Sequence, residues 1–314
     1  MLKNIFYLQE QGKRKNIEDH IFPEPGTATK KDRVFIVCDG VGGLSMGEEA
    51  SRIVCENIAR SLRSGIDVNT SQIKAAVSVA VAAMHVYGGI REQAHQMSTT
   101  LTLAVFSDDG IWTAWCGDSR IYHIRDGSIL WKSKDHSLVQ QLVDSGDITE
   151  EEAMHHPQKN IILRSLSAAS DVPKVDIHFI SDSKPDDYIL LCTDGILEQI
   201  GAAELKEILD PSNTVSDKRG LFLRYCEGKT SDNYSMYLLQ LGTGFGGGAS
   251  RILKYVVLVF FAILLSVGIF KFLRYKQPSG SSKEVFAEKP KCFENSQKMD
   301  SAMQKSLEKG VKKR

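Results

Sequence analysis

The sequence predicts an α+β domain, two mostly antiparallel sheets flanked by helices, followed by a single transmembrane helix. Three observations predict it. Six strand-like runs, rich in Val, Ile, Tyr, Trp and Thr, end in Gly or Asp or in a turn. Two long helical segments are grouped between sets of strands instead of alternating with them one by one. An uninterrupted apolar run stands near the C-terminus.

Taken in order, "RVFIVCD" (33–39) is the first strand-like run. The segments "MGEEASRIVCENIARSLRSG" (46–65) and "SQIKAAVSVAVAAMHVYGGIREQA" (71–94) carry helical periodicity with few breakers. Strands follow at "TLTLAVFS" (100–107), "GIWTAWCGD" (110–118) and "RIYHIRDG" (120–127). In the last of these, Asp126-Gly127 is turn chemistry and predicts a hairpin. "YILLCTD" (188–194) and "SMYLLQL" (235–241) complete the set. These elements place a folded domain at 1–241.

Residues 242–251 open with "GTGFGGGAS", the composition of a flexible linker. Beyond it, "YVVLVFFAILLSVGIF" (255–270) approaches the roughly 20 residues of a spanning helix, with flanking lysines able to snorkel. This predicts a span at 252–273 and a polar, Lys-rich, disordered tail at 274–314. Basic residues are denser after the span than before it, against the positive-inside tendency. A folded domain without an export signal nevertheless stays in the cytoplasm, so the expected location is the cytoplasmic membrane, single-pass. The side occupied by the tail is open.

The 39 basic and 39 acidic residues balance, so nothing in the global charge recommends nucleic acid as a partner. Cys38, Cys55, Cys116, Cys192, Cys226 and Cys292 are scattered, without the clustered spacing of a zinc site, and read as small core residues.

Four acidic sites share one context, the end of a strand or the start of a turn: Glu18 with Asp19, Asp39, Asp194 and Asp232. "VFIVC" and "YILLC" precede Asp39 and Asp194, so strands lying side by side would bring both carboxylates to one edge. Several carboxylates, with glycine where backbone must approach, suit a hard divalent cation.

The motifs "GKRKNIED" (12–19), "VCDGVGG" (37–43), "GEEAS" (47–51), "STTLT" (98–102), "GDSRIY" (117–122), "KDHSLVQQLVDSGDITEEEA" (134–153), "HPQKNIILRSL" (156–166), "LLCTDG" (190–195) and "SDNYS" (231–235) occur in one order. In that order the chain resembles the PPM family, the metal-dependent, PP2C-like protein serine/threonine phosphatases of bacterial type, over nearly all of residues 8–241. The resemblance implies a four-layer α/β/β/α sandwich. It implies that Asp39 bridges two Mn²⁺ or Mg²⁺ ions, with the Gly40 carbonyl on one of them and Asp194 and Asp232 on the other. Glu18 and Asp19 match an acidic pair that orders water at the ions. Arg14 matches the arginine that grips the substrate phosphate, with Lys13 or Lys15 as alternative alignments. By the same resemblance, Asn233 is expected to support the ligand loop. Asp118 matches a residue that in bacterial members helps hold a third, weaker ion with Asp194. Gly42 and Gly43 are expected to keep the next loop slim enough for phosphate to approach.

The implied activity is hydrolysis of phosphoserine and phosphothreonine on proteins by an activated water, without a covalent phosphoenzyme. The implied partners are phosphorylated proteins, a cognate serine/threonine kinase or its substrates, and membrane lipid. Some members carry a histidine after the metal-binding Asp-Gly; here Val41 stands there and cannot protonate a leaving alkoxide. His20, His136, His155 and His156 read as turn or surface residues, with His136 at the head of the flap the strongest of them for chemistry. Lys159 and Arg164 read as a solvated charged face. Two other readings stay open: a catalytically silent scaffold for phosphorylated partners, and a membrane sensor with a phosphatase output.

Overall fold

The computed structural model describes residues 2–41, 46–63, 68–90, 97–169, 174–243, 258–267 and 269. One compact unit ends at Val257, and a second begins at Leu258.

Two five-stranded sheets form the first unit. One runs β1 (Leu2–Glu10), β13 (Tyr234–Leu241), β12 (Tyr188–Cys192), β8 (Arg120–Arg125) and β9 (Ser128–Lys132). The other runs β11 (Asp176–Ile180), β7 (Ile111–Cys116), β6 (Leu101–Phe106), β3 (Val34–Cys38) and β2 (His20–Phe22). Every pairing is antiparallel. A small third sheet joins β4 (Gly40–Val41), β5 (Ser98–Thr99) and β10 (Leu166–Ser167).

Alternation along each strand sets the layers. In β3, Phe35 and Val37 point into the space between the sheets, while Val34, Ile36 and Cys38 join the core under α1 (Gly47–Leu62) and α2 (Thr70–Ile90). In β12, Ile189 and Leu191 face the other sheet, whereas Leu190 and Cys192 face α5 (Asp194–Leu197), α6 (Ala202–Ile208) and α7 (Val215–Cys226). Three cores thus stack as helix, sheet, sheet, helix, the expected α+β sandwich. Both faces of these strands are buried, so their sequences read as unbroken apolar runs where a half-exposed strand would alternate. The five described cysteines are free and buried in these cores.

The Asp126-Gly127 turn joins β8 to β9 as expected, with φ of 49° and 72° at its two residues. After β9, α3 (Leu138–Ser145) and α4 (Glu150–His155) form a flap outside the sandwich. Thr149 and Glu152 cap α4 reciprocally.

Two expectations need correction. Strands β3 and β12 do not lie side by side; they belong to opposed sheets, and Asp39 and Asp194 meet across the sandwich. The expected span at 252–273 is not supported: among the described residues no helix is long and apolar enough to cross a membrane. The described helical stretch 258–267 is about 15 Å long at 1.5 Å per residue, half of a roughly 30 Å hydrocarbon core. The rest of that segment, most of the linker 242–251 and the tail 274–314 lie outside the described residues.

Candidate metal centre

Antiparallel pairing makes strand ends alternate with strand starts at each end of a sheet. At one end of the sandwich this gathers the C-terminal ends of β1, β3, β7 and β12 with the N-terminal ends of β2, β8 and β13. The acidic residues sit on these ends: Glu18 and Asp19 before β2, Asp39 after β3, Asp118 between β7 and β8, Asp194 after β12, and Asp232 before β13.

Backbone bonds hold Asp39 in place. Its N–H donates to Thr100 Oγ1 at 2.9 Å, and its carbonyl accepts from the Thr100 N–H at 2.8 Å and Thr99 Oγ1 at 2.7 Å. Gly40 donates to the Glu18 carbonyl at 3.2 Å. A Cβ on Gly40 would stand 2.3 Å from the Gly47 carbonyl oxygen and 2.7 Å from that of Glu18, so backbone crowding by α1 excludes any side chain there. Ser51 of α1 donates to the same Glu18 carbonyl at 2.6 Å. Gly42 and Gly43 lie outside the described residues.

Asn233 ties the N-terminal loop to β13. Its side-chain nitrogen donates to the carbonyls of Gln11 and Asn16, its side-chain oxygen accepts from the Glu18 N–H at 2.8 Å, and its N–H donates to Asp232 Oδ1. Arg14 on that loop is half-exposed and hydrogen-bonds Asp232 Oδ2. Thr193 donates to Asp19 Oδ2 at 3.1 Å.

Electrostatically the cluster is strained. Burial and then repulsion from Asp194 and Asp232 raise the Asp19 carboxyl to about 8, despite the Thr193 hydroxyl that donates to it. Burial and then Asp194 raise Asp118 to about 7. Burial and then Asp232 raise Asp194 to about 6. Asp39 is pushed well up by burial and by Asp19, Asp194, Asp118 and Asp232. A carboxylate cluster with so little compensating cation is costly until charge arrives.

Asp19 Oδ1, Asp118 Oδ1 and Asp194 Oδ1 are buried without a hydrogen-bond partner. Each such group costs on the order of 1–3 kcal/mol. Among the described residues no three His, Cys, Asp or Glu side chains converge tightly enough to enclose an ion by themselves. The orphaned oxygens weigh more, because Mg²⁺-like ions keep several waters and need only one or two carboxylates each. All-oxygen donors with unmet acceptor capacity fit Mn²⁺ or Mg²⁺.

The structure therefore gathers Arg14, Glu18, Asp19, Asp39, Gly40, Asp118, Asp194, Asp232 and Asn233 at one end of the sandwich. Sequence reasoning missed the hydroxyls that brace the acidic residues: Ser51 on the Glu18 carbonyl, Thr99 and Thr100 on the Asp39 backbone, Thr193 on the Asp19 carboxylate, and Ser119, whose Oγ lies 2.7 Å from Thr100 Oγ1. The signal was their position within "GEEAS", "STTLT", "GDSR" and "CTD". His20, half-buried on β2, is held below its ordinary range by burial. Arg164 pairs with Asp176 at 3.0 Å, both side chains partly exposed to solvent.

The profile of the family described as "Protein phosphatase 2C" matches residues 15–224. The "Serine/threonine phosphatase stp" of Listeria innocua is 30% identical over 217 residues, covering 67% of this chain and 85% of that protein. The crystal structure of serine/threonine phosphatase Stp1 from Staphylococcus aureus superposes with a TM-score of 0.67 at 26% identity, covering 77% of this chain and 95% of the other. The catalytic domain of the serine/threonine protein phosphatase PstP, solved in complex with two manganese ions, gives 0.62 at 26% identity, covering 76% and 98%.

Proposed function

The chain belongs to the protein phosphatase 2C family and is a serine/threonine protein phosphatase; from that premise we propose that its carboxylate cluster holds Mn²⁺ or Mg²⁺ and removes phosphate from phosphoserine and phosphothreonine of proteins. The observation that carries this is the set of three buried, unpartnered carboxylate oxygens on Asp19, Asp118 and Asp194. Asp39, Asp194 and Asp232 would hold two ions with the Gly40 carbonyl, and Asp118 with Asp194 a third, weaker one. Two manganese ions in the PstP catalytic domain favour the same stoichiometry here.

When bound, such ions supply an acidic water and neutralise charge at phosphorus. The chain's own contribution is placement. Thr99 and Thr100 hold Asp39 rigidly, and Asn233 fixes the loop carrying Arg14 and Glu18. Arg14 presents a planar fork that suits two phosphate oxygens, and its bond to Asp232 keeps that fork at the rim of the centre. The Val41 side chain has no acidic proton to transfer, so the leaving alkoxide must be protonated by another group.

Phosphate release from a phosphothreonine peptide and from p-nitrophenyl phosphate tests this, with Mn²⁺, Mg²⁺ or chelator, in wild type, Asp39→Asn and Asp194→Asn. Metal-dependent turnover lost in both variants is expected. Full turnover in chelator, or in either variant, refutes it.

The apolar segment 252–273 is further proposed to anchor the phosphatase at the cytoplasmic membrane, catalytic unit inside, where it opposes a serine/threonine kinase. Support comes from the large apolar side chains exposed along 258–267, among them Leu258, Phe260, Phe261 and Leu265. Removal of residues 252–314 should move the protein from the membrane to the soluble fraction. Unchanged fractionation would reject the anchor.

A further inference from the structure

The flap is stapled at its neck. The Leu138 N–H donates to the Ile161 carbonyl at 2.9 Å, and the Leu163 N–H donates to the His136 carbonyl at 2.7 Å. His136, which no step above uses, sits at that neck with its side chain almost fully buried.

It grips Gly117 from two sides. The His136 N–H donates to the Gly117 carbonyl at 2.8 Å, and the Gly117 N–H donates to His136 Nδ1 at 3.1 Å. Gly117 has φ +106°, and a Cβ there would stand 2.6 Å from Thr100 Cγ2, so the third side is closed as well. The next residue is Asp118, buried, with Oδ1 lacking a partner.

A backbone N–H can only donate, so Nδ1 must keep its lone pair and the ring proton must sit on Nε2. Nε2 lies 3.2 Å from Asp176 Oδ2 and 3.1 Å from Arg164 Nη1, and Arg164 Nη1 donates to the other oxygen of that carboxylate at 3.0 Å, so with the ring proton on Nε2 both groups donate to Asp176. The ring also lies parallel to Trp115, whose Nε1–H donates to the Lys134 carbonyl at 2.8 Å beside the neck. Ring plane and reach are thus set by neighbours, and the Gly117 bond assigns the tautomer.

We propose that His136 is a positioning residue: through Nδ1 it holds the Gly117 amide, orients the Asp118 carboxylate for its ion, and makes the flap neck and the metal centre move together. This rests on the metal reading above. Partners that orient a ligand in this way are worth about 10- to 100-fold in metal affinity.

The test uses the full-length chain, amide hydrogen exchange at Gly117, and Mn²⁺ titration by calorimetry. His136→Asn places a carbonyl oxygen near the position of Nδ1, whereas His136→Gln reaches only the position of Nε2. In wild type and His136→Asn, Gly117 should exchange slowly. In His136→Gln it should exchange at least about tenfold faster, with strands β3 and β12 still protected, and the weakest Mn²⁺ binding step should shift to about 10-fold higher concentration. Slow exchange at Gly117 in His136→Gln overturns the proposal. So does fast exchange with unaltered Mn²⁺ binding, or failure of His136→Asn to restore both readouts. No Mn²⁺ binding by the wild type overturns the metal reading itself; the exchange pattern would then show separately whether the Nδ1 bond exists.

Discussion

Asp194→Asn should stabilise the metal-free protein, and the gain should depend on pH. In the absence of metal, burial and the neighbouring Asp232 raise this carboxyl from an ordinary 3.8 to about 6. For an acid whose folded value is raised, the proton-bound native state is favoured. The penalty is absent below pH about 4 and complete once the pH exceeds the folded value. At 1.36 kcal/mol per pH unit, keeping Asp194 ionised at pH 8 costs about 3 kcal/mol. An amide of the same shape carries no charge and relieves Asp39 and Asp232 as well. For a folded unit of this size, about 3 kcal/mol corresponds to roughly 6–12 °C in Tm. The assay is thermal unfolding of wild type and Asp194→Asn in chelator, from pH 4 to 8.5, repeated with saturating Mn²⁺. The Tm difference should open between pH 4 and pH 7 in chelator and reverse with Mn²⁺ at about 1,000 times its Kd, since a ligand at that concentration stabilises the wild type by about 4.1 kcal/mol. A difference that does not change with pH in chelator, or a variant less stable than wild type at pH 8, would refute the electrostatic reasoning.

Other outcomes follow from the same geometry. Asp118 at about 7 and Asp19 at about 8 are partly protonated near neutrality, so Mn²⁺ binding at pH 7 should release on the order of one proton, measured as calorimetric heats that scale with buffer ionisation enthalpy. Arg14→Ala should cut phosphopeptide turnover roughly 10- to 100-fold, as for loss of a hydrogen bond to a charged group worth about 1.5–3 kcal/mol. The same change should leave stability within about 1 kcal/mol, because the Arg14–Asp232 pair is exposed on the arginine side. Phe35 is fully buried between the sheets, edge-on to Phe106 at 5.8 Å and Tyr237 at 5.1 Å, so Phe35→Ala should cost about 3–5 kcal/mol in denaturant unfolding.

Much of the fold was legible along the chain because its signals are local. The unbroken apolar runs of β3 and β12 mark strands covered on both faces, and Asp126-Gly127 marks the hairpin between β8 and β9. The acidic residues of the cluster were legible because each stands where an apolar strand meets a turn, a position recognisable from a few neighbouring residues. Strand β1 escaped notice, since its burial is partial along most of its length and its apolar stretch is short. The short helices α5 and α6 escaped as well; four- and seven-residue helices offer too few turns for periodicity to register.

By itself, then, the sequence determined the buried central strands, which carboxylates end them, and that those side chains offer oxygen donors. Only the tertiary structure decided that Asp39 and Asp194 meet across two opposed sheets instead of along one edge, and that His136 reaches Gly117 from 19 residues away. The physical reason is range. Turn chemistry and strand propensity act over a few residues. The grip on Gly117 and the gathering of five acidic strand ends depend instead on sheet register and on which layers pack face to face, and those are settled only when the three cores close together.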